Sequence, residues 1–301
     1  MKAVARQRAG EGSVETAAPV RRSRRPWTAR VLPVYATAVF AYLLIPIATM
    51  FVYSFNNSRS RLPTVTFNWQ GFTTRWYGLW DQIPGLTPAF FLSLRLALLS
   101  SSVSAILGTL LALTLARYRF RGKGAVEQVL LLPIAVPEIV LGASLLGFFI
   151  TLNLPKGFLT LFIAHVTFSI SFVAITVRAR ISGFDLSVEE AARDLYATPW
   201  ATFRKVTLPL IYPGILAGAL LAFGLSVDDF VTSNFVAGTT STFPLWVWGA
   251  VKIGIPPQVF VLGTMIFTSG AVVAAVSVLL QERRRWSERR DARSYGVSAS
   301  A

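Results

Sequence analysis

The chain has 301 residues, of which 53% are hydrophobic and only 14% charged, and its formal net charge is +15. Charged residues make up about a quarter of an ordinary soluble domain, so this composition excludes that class; with no cysteine and one histidine, a disulfide framework, a thiolate metal site and a multi-histidine metal site are excluded too. Excess base in a soluble protein points to nucleic acid, but here the basic residues flank long apolar runs, where they set membrane topology, so no nucleic-acid partner is expected.

Residues 1–30 form a basic tail. Six apolar runs follow, near 31–55, 89–116, 126–153, 157–177, 213–237 and 258–281. Each is close to the roughly 20 residues needed to cross about 30 Å of hydrocarbon. The first is too long for a secretory signal and is not followed by a small-residue cleavage site. Between the first two runs, the segment 56–88 carries Trp69, Trp76, Tyr77 and Trp80. These read as an interfacial aromatic belt, or as ring faces lining the mouth of a cation pathway. TLNLPKG (151–157) predicts a tight turn between the third and fourth runs, and 282–301 is a second basic tail with no predicted element. The side holding both tails, 117–124 and 178–212 carries 23 Lys and Arg, against 5 on the other side. That bias places both termini in the cytoplasm, and an even number of spans requires them to share a side.

Four ionisable residues fall well inside these runs: Arg95, Glu138, Asp228 and Asp229. A charge at mid-bilayer costs at least about 2.5 kcal/mol, so function is the default reading. On continuous helices starting near residues 125 and 213, Glu138 and Asp228 lie about 20 and 22 Å along their spans, at similar depth. Pro133 and Pro137 approach Glu138 and each removes a helical hydrogen bond. Asp228 and Asp229 are about 100° apart on a helix, so one is expected to face the pathway and the other a helix partner. With Trp76, these three acids are the candidate substrate path. Arg95 lies near a span end and can snorkel. His165 reads as a hydrogen-bonded packing residue, and Gly142, Ser144, Gly147, Gly214 and Gly218 as helix contacts.

The segment 178–212 is long for a bundle connection and has helical periodicity of its own. Ser187 and Glu190 have capping-box spacing. Thr198 and Pro199 are suited to cap and start a second short helix, and Pro209 and Pro213 lead into the fifth run. A helix–turn–helix outside the membrane is expected. EAARDLYATPWATFRKVTLP (190–209) resembles the EAA loop of permeases in binding-protein-dependent ABC importers, with Glu190-Ala191-Ala192 and Leu208-Pro209 at the family's spacing. Tyr196 stands where that pattern has glycine, at a turn where a left-handed residue is needed. YLLIPI (42–47), NWQGFTTRWY (68–77), RYRFRGK (117–123), GFDLSVEEAARDL (183–195), SVDDFVTSNFVAG (226–238) and PLWVWGAVKIGIPPQV (244–259) are similar to the C-type permeases of spermidine/putrescine importers.

The resemblance implies an all-α, six-span type I importer permease in a bacterial inner membrane, with the transmembrane domain at 31–281. It further implies a substrate-binding protein outside and a second, homologous permease forming the other half of the channel. Two copies of a cytoplasmic ATPase would supply ATP and Mg chemistry, this chain binding no cofactor itself. Glu189, Glu190, Ala191, Ala192, Asp194, Leu195, Tyr196 and Ala197 would dock on that ATPase. No G-x-x-x-x-G-K-[ST] loop occurs in the sequence, so the chain is not expected to be an enzyme. Permeases for opines or other small organic solutes have similar motifs; an ion-coupled secondary transporter is the alternative of a different class.

Overall fold

A computed structural model describes residues 28–58, 69–183, 187–252 and 254–294. The basic tail 1–27, Arg59, Arg61 and the residues 184–186 of the coupling loop lie outside the described residues. Two compact units are present, Met1–Thr49 and Met50–Ala301.

The first unit contributes most of helix α1 (Thr28–Tyr53). Between Val31 and Pro46 every side chain except Ala36 is exposed, although the helix is apolar all round. A helix of that character is suited to lipid or to another apolar chain.

The second unit is built on three long helices. Helices α2 (Leu86–Arg117), α5 (Phe158–Ser182) and α8 (Leu208–Asp228) pack against one another along their lengths. Their backbones approach closely because small residues face each other. A Cβ on Gly108 of α2 would lie 2.8 Å from Val173 Cβ of α5, and one on Gly218 of α8 would lie 3.2 Å from Val173 Cα. Ala112, Val173, Val177, Ile211 and Ala222 form the apolar core at this crossing. In lipid such association is driven by close packing, since the hydrophobic effect no longer distinguishes the two environments. Gly142 and Gly214 are likewise closed by Phe235 and Arg180, whereas Gly147 and Ser144 meet no other helix among the described residues of this chain.

All six apolar runs contain helix, but the runs are not six unbroken helices. Among the described residues four helices are long and apolar enough to cross a membrane: Val31–Tyr53, Leu86–Arg117, Phe158–Ser182 and Pro199–Asp228. The third run is broken. Helix α3 (Lys123–Ala135) and helix α4 (Glu138–Thr151) bend by 112° at Val136-Pro137 and together count as at most one further span. Val136 is extended, as the residue before a proline prefers, and Pro137 has no N–H to continue the ladder. The extrapolated depth of Glu138 therefore fails, because no continuous helix leads to it.

The fifth run is shifted. Its helix does not begin at Pro213 but is continuous from Pro199, through the short helix α7 (Pro199–Thr202) and a π turn (Phe203–Thr207) into α8. It stops at Asp228, and the chain restarts as α9 (Val231–Val236). A short apolar helix, α10 (Phe243–Val251), fills the segment expected to be an outer loop, tied to α2 by Phe243 N–H donating to Ser93 Oγ at 2.8 Å. The last helix, α11 (Pro257–Ser294), runs through most of the expected structureless tail.

Candidate functional site

The coupling segment begins with α6 (Ser187–Asp194), which is followed by a tight turn and then α7. The turn closes α6 as a Schellman motif: Ala197 N–H reaches Ala192 O at 3.1 Å and Tyr196 N–H reaches Arg193 O at 2.9 Å. That geometry requires a left-handed residue, and Tyr196 takes it at φ 61°. The glycine-type turn is thus kept with a bulky residue in it. Thr198 caps α7, its Oγ1 accepting from Ala201 N–H at 3.3 Å, with Pro199 in the first turn. Glu190, Ala191, Asp194, Leu195 and Tyr196 are exposed, the last two at 82% and 96%, and Trp200 beside them is also exposed. These form one amphipathic outer face. Glu189, expected in the same docking set, points the other way: it is only 5% exposed, pairs with the Arg117 guanidinium and accepts from Thr207 Oγ1 at 2.5 Å. Ala192 and Ala197 are half-buried and serve the turn through their backbones.

The intramembrane acids divide into two kinds. Asp228 and Glu138 are both exposed, and each lies at a helix break: Asp228 is the last residue of α8 and Glu138 the first of α4. Asp229 is engaged inside the chain. Its carboxylate accepts from Thr232 N–H at 3.2 Å, from Ser233 N–H at 2.7 Å and from Ser233 Oγ at 2.7 Å, and so starts α9. His165 of α5 is fully buried beside it, with Nε2 3.3 Å from Asp229 Oδ2 and 3.0 Å from Ser233 Oγ. Its Nδ1 lies 2.6 Å from Ser226 Oγ, which is 3.1 Å from Ser100 Oγ of α2. A carboxylate only accepts, so Nε2 carries the ring proton; in the neutral ring Nδ1 then accepts from the Ser226 hydroxyl. The result is a chain of polar contacts, Ser100–Ser226–His165–Ser233/Asp229, that joins α2, α5, α8 and α9 and fixes the break beside Asp228.

Residues 104–286 match the family described as binding-protein-dependent transport system inner membrane component. The chain belongs to that family. It is 41% identical over 247 residues to the spermidine/putrescine transport system permease protein PotC of Escherichia coli strain K12, covering 82% of this chain and 92% of that protein. It is 38% identical over 276 residues to the putrescine transport system permease protein PotI of the same strain, covering 89% and 95%. Its fold is similar to that of a bacterial ABC transporter involved in the import of the acidic polysaccharide alginate, with a TM-score of 0.60 at 18% identity over 86% of this chain and 98% of that chain. The chain is therefore a helical membrane permease with the type I ABC importer permease fold, the inner-membrane component of a binding-protein-dependent transport system.

Within this permease, Trp76 does not present an open ring to a pathway. It is 8% exposed, its Nε1 donates to Asn56 O at 2.8 Å, and the Arg75 guanidinium lies 4.7 Å from its ring centroid. It holds the segment after α1 together. Five residues that complete the permease's polar sites, Ser100, Arg117, Thr207, Ser226 and Ser233, have no individual role predicted from the sequence. The only local signal for any of them was Asp229 three and four residues before Thr232 and Ser233, a helix-start pattern within an apolar run.

Proposed function

We propose that this permease forms one half of the membrane pathway of an ABC importer for a polyamine-like organic cation, with Asp228 and Glu138 as the carboxylates that meet the ammonium groups along the way. The observation that carries the reading is the pairing of two exposed acids at helix breaks in otherwise apolar segments with 41% identity to a spermidine/putrescine permease. Carboxylates at a break have irregular backbone beside them, which is tolerated at membrane depth where it borders water or protein. Such a wetted acid attracts an ammonium group without being locked to it, which suits passage more than storage. Asp229, with both oxygens engaged, keeps the break in place.

Both termini and the segment 178–212 lie in the cytoplasm, as the distribution of Lys and Arg requires. The exposed face of α6 and its turn docks on a cytoplasmic ATPase, two copies of which bind Mg and ATP. A second permease completes the pathway, and an external binding protein delivers the cation to a bacterial inner membrane. ATP-driven closure of the ATPases shifts the balance between outward-open and inward-open arrangements through differential contact with the docking face.

The test is uptake of labelled putrescine and spermidine by the assembled complex in proteoliposomes. Asp228→Asn combined with Glu138→Gln is expected to lower uptake at least tenfold while the complex still assembles and the ATPase stays bound. Unchanged uptake kinetics in the double variant would remove the carboxylates from the pathway.

A further inference from the structure

On α6 every residue except Glu189 and the half-buried Ala192 is exposed. Glu189 alone turns a charged group into the body of the protein, and it meets two partners that are remote in sequence. One is Arg117, the last residue of α2, whose Nη2 donates to Glu189 Oε1 and also reaches Thr207 Oγ1 at 3.3 Å. The other is Thr207, the last residue of the π turn and the residue directly before α8, which donates to the same carboxylate oxygen. Thr207 is itself buried. One carboxylate thus joins the short coupling helix to the ends of two of the three core helices, α2 and α8.

Those two helices lead to the same place. Ser100 of α2 and Ser226 of α8 touch at 3.1 Å in the polar chain that holds His165 and Asp229. Along α2 the distance from Arg117 to Ser100 is about 26 Å, and along α8 from Thr207 to Ser226 about 28 Å. The near-equal lengths put two polar cross-links between the packed helices, one where α2 ends and α8 begins and the other midway along α2 and near the end of α8. A hydrogen-bonded helix transmits axial and lateral displacement with little give, because each turn is tied to the next and the interface is densely packed. The Glu189 carboxylate is buried while Arg117 is partly exposed, and such a pair adds little net stability but constrains geometry, since separating the partners leaves the buried carboxylate without its cation.

We propose that Arg117, Glu189 and Thr207 form a latch that makes the coupling helix move as one piece with α2 and α8, so that a push on the docking face reaches the break beside Asp228. Glu189 is a positioning residue in this scheme and does not touch the ATPase. Coupling needs two separable things: an outer face that another protein grips, which is Glu190 with its exposed neighbours, and an inner fastening, which is Glu189. The inference rests on the proposed docking role of that outer face.

The experiment uses the whole complex, with ATPase, second permease and binding protein, reconstituted in proteoliposomes. It measures polyamine uptake, ATP hydrolysis and retention of the ATPase on the permease for Glu189→Gln, Arg117→Glu, Thr207→Val and the exchange variant Arg117→Glu with Glu189→Arg. The latch predicts that Glu189→Gln and Arg117→Glu keep the ATPase bound and hydrolysing but raise the ATP consumed per cation at least tenfold. Thr207→Val is expected to raise it about threefold, and the exchange variant to recover at least a third of the wild-type ratio. A wild-type ratio in Glu189→Gln, or loss of the ATPase from the complex in that variant, overturns the latch. So does an exchange variant no better than Arg117→Glu, including the case in which both fail to assemble. Failure of the docking reading looks different: Glu190→Lys would then keep normal uptake and normal ATPase retention, whatever the Glu189 variants do.

Discussion

Tyr196 occupies a backbone conformation that side chains avoid, and no described residue covers its ring. At φ 61° an L residue loses about 1–2 kcal/mol relative to the right-handed form, while the ring itself is 96% exposed. Strain kept at an exposed position points to function, and it fits the proposed docking role of this face, from which the ring is raised. Tyr196→Gly is expected to relieve the turn without removing any packing. Limited proteolysis of the solubilised chain should then cleave within 187–202 about 5–30-fold more slowly, the population change that 1–2 kcal/mol corresponds to. Tyr196→Ala keeps the strain and loses only the ring, so its cleavage rate should match the wild type. Equal protection by both variants would mean that the ring, not the backbone, governs opening of the turn.

The breaks in α3–α4 and α8–α9 have different origins, and the difference says what each will tolerate. The first is imposed locally by Pro137, which cannot continue a helix. The second has no proline. Asp229 leaves the helical region at ψ 111° and turns its carboxylate back on Thr232 and Ser233, and His165 on a separate helix holds that arrangement from the far side. Removing the imidazole strips Ser226, Ser233 and Asp229 of a shared partner in a buried setting, where each unsatisfied group costs about 1–3 kcal/mol. His165→Leu is therefore expected to raise the half-saturating cation concentration for uptake at least tenfold, because Asp228 loses its fixed placement, while His165→Gln retains part of the wild-type affinity. If the maximal rate falls with half-saturation unchanged in His165→Leu, the network governs turnover and not the placement of Asp228.

Across the permease, the α2–α8 pair carries two polar fastenings, at Arg117–Thr207 and at Ser100–Ser226, and broad apolar surfaces lie elsewhere. α1 is exposed along most of its length, and Val129, Leu131, Leu132 and Ile134 of α3 are exposed as well. In water such surfaces would drive aggregation; in a bilayer they are satisfied by lipid and by the second permease. Under the proposed function, energy reaches the permease through the polar outer face of α6 and its turn. Reversing a charge there should separate energy supply from transport. Glu190→Lys is expected to insert and to assemble with the second permease, but to abolish the stimulation of ATP hydrolysis by loaded binding protein and to lower uptake at least tenfold. Wild-type stimulation in that variant would show that the ATPase grips the permease elsewhere.

Much of this was legible in the residues. Apolar runs, flanking base and the EAA spacing identify a membrane-embedded importer subunit, because hydrocarbon thickness and backbone satisfaction leave a span few other forms. Pro199 with Thr198 also marks a helix start from local chemistry alone. What only the tertiary structure decided was direction and pairing. Neighbouring acids of equal character, Glu189 and Glu190 or Asp228 and Asp229, part ways because Arg117 and His165 stand on one side of each pair, 72 residues away in the first case and on a different helix in the second. A side chain's periodicity tells which face of a helix it shares; which face is inward depends on partners brought there by the packing of α2, α5 and α8, and no local run of residues contains that information.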